Sequence, residues 1–305
     1  MITQKIIRYM NYGNCAELSN GLIDVVITLD CGPRIIRYGF AGEGNELCDD
    51  APLTVPVEGE AEEWRLMGGH RLWVSPERFP KTYYPDNAPV DYDWVENGIV
   101  ITKPAHPRVH IESQLEITLK EGDTKIQILH SLKNTGEWSI ETAVWALTNL
   151  KPGGLQVLPF ARRESHFSDG VKGSRSLVLW SYASMDDPRI KWGNRYVLVK
   201  HEEGNTIQTK FGIQNSEGWA AYFRDNSLFI KRFSVYPGKT YPDGGISSAT
   251  FLIEFMLEME SLSPMRKLEP GDTVEHTEIW ELHRHAHHIP FGDEDAVCEA
   301  VSQYI

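Results

Sequence analysis

Several features that would point to particular protein classes are scarce in the 305-residue sequence. Positive charge is short, because 30 Lys and Arg face 43 Asp and Glu, for a formal net charge of −13. A surface of this sign repels phosphate backbones and anionic lipid headgroups, so neither a nucleic-acid nor a membrane partner is expected. No apolar run approaches the ~20 residues that a membrane span requires.

The four cysteines lack the spacing of a metal or redox motif. Cys15, Cys31, Cys48 and Cys298 form neither a CxxC pair nor a zinc-ligand pattern. Residues 1–12 also lack the apolar core of a signal peptide. We therefore expect no metal, no cofactor and a cytoplasmic location, while the oligomeric state is left open by the sequence.

The dominant hydrophobic period is two, which is typical of half-buried β-strands. The clearest strands are predicted at 22–28, 35–40, 109–119 and 125–132. Turn signals recur throughout the chain, and no proline- or serine-rich linker divides it. We therefore expect an all-β fold, a large antiparallel sandwich that forms a single domain over residues 1–305.

One stretch, residues 292–304, predicts a helix. Acidic residues at 293–295 would lie near its positive N-terminal end, and Ala296, Ala300 and Tyr304 follow at i, i+4 and i+8. We expect this short C-terminal helix to cover a sheet edge.

Residues 67–77 combine two glycines with His70, Arg71 and Trp73. Arginine offers a rigid fork of donors for hydroxyls or a carboxylate, and tryptophan offers an apolar face for a sugar ring. These side chains suit carbohydrate binding. The alternative is a Gly-Gly turn followed by a salt-bridged arginine and a core tryptophan.

Residues 83–87 continue the same kind of chemistry. Tyr84, Asp86 and Asn87 could extend a sugar-binding wall, although Pro-Asp-Asn is also an ordinary turn sequence. Both interpretations stay open.

A carboxylate-rich strand is predicted at residues 251–260. Alternation places Phe251, Ile253, Phe255, Leu257 and Met259 on one face and Glu254, Glu258 and Glu260 on the other. A row of carboxylates opposite an apolar face is either solvated or part of a site, and composition does not decide between the two.

The histidines form no familiar metal motif. Five of them, at positions 106, 110, 130, 166 and 201, are scattered, whereas His283, His285, His287 and His288 cluster near the end of the chain. No carboxylate or cysteine stands beside this cluster at a familiar ligand spacing, so we expect a solvated tail rather than a metal site.

Three segments together resemble a known superfamily. They are residues 30–39, residues 68–73, and the Glu258 strand with the 268–271 hairpin, in that order along the chain. Residues 134–138 and 143–148 match its middle strands. The sequence is similar to the aldose 1-epimerase and galactose mutarotase-like superfamily, and most specifically to its DUF4380-type branch.

The resemblance implies a β-supersandwich from about residue 15 to 282 and a sugar site on one concave sheet. A late glutamate in these epimerases removes the proton of the anomeric hydroxyl, and a histidine protonates the ring oxygen. Counted from the Pro270-Gly271 turn, Glu258 matches the base, with Glu260 next. The substrate-binding residues expected from these segments are Arg34, Arg71, Trp73, Tyr84, Asp86, Asn87 and Glu260.

The chain departs from the superfamily at the general acid. The early loop reads Tyr-Pro-Asp-Asn at 84–87 and the middle strand reads Trp-Ala-Leu-Thr at 145–148, so neither position offers an imidazole. His70 is the nearest histidine to the matching segment, and proximity makes it the predicted acid.

The function predicted is that of a carbohydrate-binding protein, an aldose 1-epimerase-like isomerase acting on a sugar or sugar acid. Two alternatives stay open. The chain is a binding or sensing protein that has lost the acid, or it is a lyase or hydrolase on the same scaffold. For hydrolysis, Glu77 and Glu258 are the carboxylate pair to test.

Overall fold

The computed structural model describes residues 1–161, 175–285 and 289–305. Strands dominate these ranges, with a 3-10 turn at Lys81–Tyr83 and one α-helix, α1, at Glu294–Ser302. In the described ranges, no helix is long and apolar enough to cross a membrane.

The strands of the described residues fall into two halves of the chain. The first twelve are β1 Thr3–Arg8, β2 Asn14–Ser19, β3 Ile23–Thr28, β4 Ile35–Phe40, β5 Ala51–Val55, β6 Trp64–Met67, β7 His70–Ser75, β8 Asp91–Val95, β9 Gly98–Lys103, β10 Ile111–Leu119, β11 Ile126–Asn134 and β12 Ile140–Leu150. The others are β13 Leu155–Pro159, β14 Leu177–Leu179, β15 Ile190–Trp192, β16 Tyr196–Lys200, β17 Thr209–Ile213, β18 Trp219–Arg224, β19 Ser227–Phe233, β20 Ser248–Ile253, β21 Met256–Leu262, β22 Arg266–Leu268 and β23 Thr273–Arg284.

Two large antiparallel sheets form the sandwich. Sheet I has the order β1-β2-β3-β4-β7-β12-β21-β20-β17-β14, with β22 beside β12, and sheet II has the order β15-β16-β13-β18-β19-β23-β11-β10-β9-β8. Strands β5 and β6 form a small separate ribbon. The predicted all-β antiparallel sandwich is therefore confirmed, and the four clearest predicted strands appear as β3, β4, β10 and β11 with ends shifted by at most two residues.

The main core lies between the two sheets. Leu257 and Met259 of sheet I belong to the same apolar cluster as Ile128, Trp280 and Leu282 of sheet II. Because side chains alternate along a strand, their neighbours in sheet I point away from this core. We call that side the outer face of sheet I.

The outer face of sheet I carries its own aromatic cluster. Trp73, Trp145 and Met256 pack there with Trp64 from the β5–β6 ribbon. Tryptophans on three different strands thus line one surface, and they pack against each other at ring-centroid distances of 5.1 Å for Trp64 and Trp73 and 5.4 Å for Trp73 and Trp145.

The C-terminal helix lies inside the predicted range. Asp293 caps it, accepting hydrogen bonds from the backbone N–H groups of Asp295 and Ala296. Its buried residues Val297 and Val301 pack with Leu155 and other residues on the outer side of sheet II. The prediction of a helix is confirmed, but it covers a sheet face rather than an edge.

The single strand predicted at 251–260 is wrong. Strand β20 ends at Ile253, the exposed Glu254 and Phe255 form a tight turn, and β21 begins at Met256. The turn resets the alternation, so Phe251 lies on the outer face with Glu258, whereas Leu257 and Met259 point into the main core.

Candidate functional site

Strand β7 sends consecutive side chains to opposite faces of sheet I. Arg71 and Trp73 lie on the outer face, where the Arg71 guanidinium stacks over the Trp73 ring at 4.2 Å. His70 points between the sheets and lies 2.7 Å from His130 of sheet II. Alternation alone therefore separates Arg71 from His70, which precedes it in the chain.

Glu258 is held on the outer face by one of its two oxygens. Arg71 Nη1 donates to Oε1 at 2.7 Å, and Asn149 Nδ2 donates to the same oxygen at 2.8 Å. The side chain is 4% exposed. Burial alone would raise the pKa of Glu258, but Arg71 and Lys210 outweigh it and bring the pKa below its ordinary value. Glu258 is therefore ionised at neutral pH.

Glu260 lies two residues further along the same face and is 1% exposed. Trp145 Nε1 donates to Oε2 at 2.8 Å, and the Lys210 ammonium lies 3.2 Å from Oε1. Burial, with the nearby charge of Glu258, raises the pKa of Glu260 to about 7 despite Lys210. The two carboxylates thus have opposite pKa shifts, the pattern expected where one group holds a proton and its neighbour does not.

Lys210 completes the cluster from strand β17. Its ammonium lies 4.6 Å from the Trp145 ring centroid and 4.8 Å from that of Trp180. Burial would lower the pKa of Lys210, but Glu260 and Glu258 raise it above its ordinary value. We call Arg71, Lys210, Glu258 and Glu260 the outer cluster.

More exposed side chains surround the outer cluster. Tyr182 is 48% exposed, and the pKa of its hydroxyl is raised by burial of the ring, with Glu260 among the smaller influences. Glu77 is exposed and accepts a hydrogen bond from Tyr83. The charge of Glu77 also acts on Lys210. The cluster thus opens towards an aromatic and acidic rim.

Two members of the outer cluster keep hydrogen-bonding capacity in reserve. Arg71 Nε is buried without a partner among the described residues, since Nη1 makes both bonds to Asn149 and Glu258. In the same ranges, Oε2 of Glu258 accepts no hydrogen bond, because both of its donors go to Oε1. An uncommitted acceptor beside a guanidinium donor suits a hydroxyl group, which both donates and accepts.

His70 belongs to a network inside the sandwich. His130 Nδ1 lies 2.9 Å from the carbonyl oxygen of His276, which only accepts, so His130 is protonated at Nδ1. His130 Nε2 then accepts from His70 Nε2, and His70 Nδ1 accepts from the Thr148 hydroxyl at 2.8 Å. Burial lowers the pKa of both imidazoles, which keeps them neutral. Both ring nitrogens of His70 are committed away from Glu258.

The same network includes the one metal-like group found in the described residues. Ligand atoms of His70, His130 and Glu278 lie within 4.8 Å of one another. However, Lys231 Nζ lies 2.9 Å from Glu278 Oε1, and Ser261 donates to that oxygen at 2.6 Å. A lysine ammonium thus supplies the positive charge at this carboxylate. We call these residues, with His276, the inner cluster, and its donor set is that of a structural hydrogen-bond network.

Arg34 and Asp86 lie together, but in a different place. They form a buried ion pair with 2.7 Å between Nη1 and Oδ2, and a second bond of 3.2 Å makes it bidentate. Asp86 also accepts from the backbone of Gly32 through its carbonyl. These contacts tie two loops together and leave neither side chain directed at the outer cluster.

Tyr84 and Asn87 also have partners of their own. Tyr84 stacks on His106 at a centroid distance of 4.4 Å. Asn87 bonds to Glu62 and Arg65, and it lines a separate cavity of about 380 Å³. Among the predicted site residues, the structure therefore brings Arg71, Trp73, Glu258 and Glu260 together, and the others lie elsewhere.

The C-terminal histidines divide between described and undescribed positions. His283 lies 3.1 Å from Glu281 and stacks on Tyr304, while His285 packs against Phe223. His287, His288 and also His166 lie outside the described residues.

Comparison with solved structures gives a consistent set of neighbours. A candidate aldose 1-epimerase from Klebsiella pneumoniae superposes with a TM-score of 0.62 at 11% identity, over 99% of this chain and 86% of that one. A candidate aldose 1-epimerase from Escherichia coli gives 0.53 at 10% identity, over 93% and 100%. A galactose mutarotase-like protein from Lactobacillus casei gives 0.51 at 11%, over 88% and 100%. The chain has the galactose mutarotase-like fold.

Identities this low establish the fold and leave the activity open. No family sequence profile and no curated protein sequence matches the chain. The predicted superfamily resemblance is thus confirmed at the level of structure, whereas the narrower DUF4380-type assignment stays a prediction.

Sequence reasoning missed three members of the site, Asn149, Trp180 and Lys210. The signal for Lys210 was present, because it is a single charge within the otherwise uncharged run Thr209–Ile213. Such a residue on a buried strand is usually paired. Asn149 and Trp180 carry no comparable signal, since their importance comes from the strands beside them.

Proposed function

We propose that the protein is a sugar isomerase of the mutarotase type, which binds a small carbohydrate on the outer face of sheet I and interconverts its anomers. The observation that carries this proposal is the state of Glu258. Arg71 and Asn149 fix one oxygen of an ionised carboxylate, while the other oxygen accepts nothing in the described ranges. A general base requires this combination of fixed geometry and a free acceptor.

In this reaction Glu258 takes the proton of the anomeric hydroxyl as the ring opens, and returns it to the carbonyl oxygen when the ring closes on the other face. Arg71 holds the carboxylate in place and offers its remaining donors to a neighbouring hydroxyl. The similarity to structures named as candidate epimerases supports the proposal at the level of the fold.

The tryptophan predicted as a sugar platform has a different role in this proposal. Trp73 is buried beneath the Arg71 guanidinium and packs against Trp64 and Trp145. It therefore positions Arg71. The exposed ring of Tyr182 is better placed to contact a sugar.

A second candidate function is sugar binding without catalysis. It is favoured by the histidines, because none in the described part of the chain hydrogen-bonds to Glu258 or Glu260 and His70 faces the interior. The two functions differ in anomer exchange and agree in binding.

The test is NMR exchange spectroscopy of α and β anomers over a panel of aldoses and uronic acids, with calorimetric binding of each sugar. Glu258→Gln keeps the shape of the side chain but removes the proton acceptor, so exchange should fall about 10²- to 10⁴-fold while binding survives. The exposed Glu275 on β23 offers the matched control, Glu275→Gln, which should match the wild type. A wild-type protein that binds a sugar without accelerating its exchange would contradict the enzyme and support the binding protein.

A further inference from the structure

Ring opening requires a proton donor as well as a base, and the outer cluster contains an ammonium. Building on the proposed isomerase function, we infer that Lys210 is the general acid, which protonates the ring oxygen while Glu258 deprotonates the anomeric hydroxyl. A lysine would thus replace the imidazole expected from the sequence. The inference rests on the placement of Lys210 relative to Glu258.

The two residues belong to one row of side chains across sheet I. Lys210 pairs with Phe251 in the β17–β20 register, and Phe251 pairs with Glu258 in the β20–β21 register. Directly paired residues point to the same face of a sheet. Neighbouring strands lie about 4.8 Å apart, so the backbones of Lys210 and Glu258 are roughly 10 Å apart.

The space between Lys210 and Glu258 is suited to a sugar ring. The side chain of Phe251 is only half-buried and packs with the outer-face aromatic cluster. A pyranose lying over Phe251 would meet the carboxylate on one side and the ammonium on the other. Apolar contact with the C–H face of a sugar is a common use of aromatic side chains in binding sites.

The surroundings of Lys210 keep it protonated and fixed in direction. Glu260 lies 3.2 Å away on one side, and the rings of Trp145 and Trp180 flank the ammonium. The acidic neighbours raise the pKa of Lys210, so the donor form is present throughout the neutral range. Glu260 is then a positioning residue, which orients Lys210 without contacting the substrate.

The proton balance closes within the site. Glu258 accepts the proton of the anomeric hydroxyl, the bond between the anomeric carbon and the ring oxygen breaks, and Lys210 gives a proton to that oxygen. The alkoxide formed in this step is a stronger base than an amine, so the transfer runs downhill. After rotation of the open-chain aldehyde, neutral Lys210 takes the proton back and Glu258 protonates the carbonyl oxygen as the ring closes.

The test compares Lys210→Met and Lys210→Arg with the wild type in the same anomer-exchange assay. Methionine keeps the length of the side chain and removes the donor, so kcat should fall about 10²- to 10⁴-fold with a much smaller change in KM. Arginine keeps the charge but holds its proton too tightly, so kcat should stay at least tenfold below the wild type. Lys200, an exposed lysine on β16, provides the control Lys200→Met.

The outcomes separate this role from the proposed function. Absence of exchange in the wild type contradicts the isomerase function itself, before any variant is compared. An active wild type with an equally active Lys210→Met variant overturns only the assignment of Lys210. If Lys210→Met does not fold, Lys210→Met/Glu260→Gln removes the unpaired carboxylate as well, and the same loss of kcat is expected there.

Discussion

The outer and inner clusters use similar residues on the two faces of sheet I. Each contains a buried lysine and glutamate, with 3.2 Å between Lys210 and Glu260 outside and 2.9 Å between Lys231 and Glu278 inside. Strand β7 contributes to both, with Arg71 outside and His70 inside. The chemistry of the side chains therefore does not distinguish the clusters.

The clusters differ in how completely the protein satisfies their polar groups. Inside, both oxygens of Glu278 accept hydrogen bonds, from Ser261 at 2.6 Å and from Trp280 at 2.8 Å. Outside, Arg71 Nε and Glu260 Oε1 have no hydrogen-bond partner in the described ranges. A satisfied buried network rigidifies a core, whereas unsatisfied groups beside an open rim are available to a ligand. We therefore assign stability to the inner cluster and function to the outer one.

The largest effect on stability is expected from the inner lysine. Lys231→Met leaves Glu278 buried without its cation, which should lower the free energy of unfolding by about 3–5 kcal/mol. Urea denaturation measures this loss, and sugar binding by the folded protein should not change. The double variant Lys231→Met/Glu278→Gln removes the unpaired charge, so much of the stability should return. Equal losses in the single and double variants would mean that the ion pair does not account for the effect.

A smaller and pH-dependent effect is expected at Glu260. Its pKa rises from an ordinary 4.5 to about 7 in the folded protein, so its contribution to stability is full below pH 4.5 and is lost as the pH rises through 7. Glu260→Gln cannot ionise, so it should gain about 1–3 kcal/mol relative to the wild type between pH 5 and pH 8. Parallel stability curves for the two proteins over this range would contradict the raised pKa.

Local patterns were sufficient to predict the strands, the antiparallel sandwich and the terminal helix. Alternation in β10, where buried and half-buried residues follow each other over Ile111–Leu119, is a direct consequence of one face meeting the core. The turn at Glu254 was missed because it carries neither glycine nor proline, and its flanking residues continue the apolar pattern. A two-residue turn therefore reversed the predicted faces of the strand.

The site was predicted only in part, because its members come from strands far apart in the sequence. Arg71 and Glu258 were both identified, and the structure joins them across strand β12. His70 was assigned by proximity in sequence, although the period of two places it opposite Arg71. Lys210 reaches Glu258 only through the pairing of β17, β20 and β21, which no local motif encodes.

The most direct test of the division between the two clusters is anomer exchange by His70→Asn and Glu258→Gln, measured together and normalised to folded protein. The two positions lie on opposite faces of the same sheet. We expect Glu258→Gln to lose about 10²- to 10⁴-fold in rate, because it removes the base. We expect His70→Asn to lose about 1–3 kcal/mol of stability, because it breaks buried hydrogen bonds, and to keep a rate near that of the wild type. A loss of rate in stable, folded His70→Asn as large as that in Glu258→Gln would contradict the account.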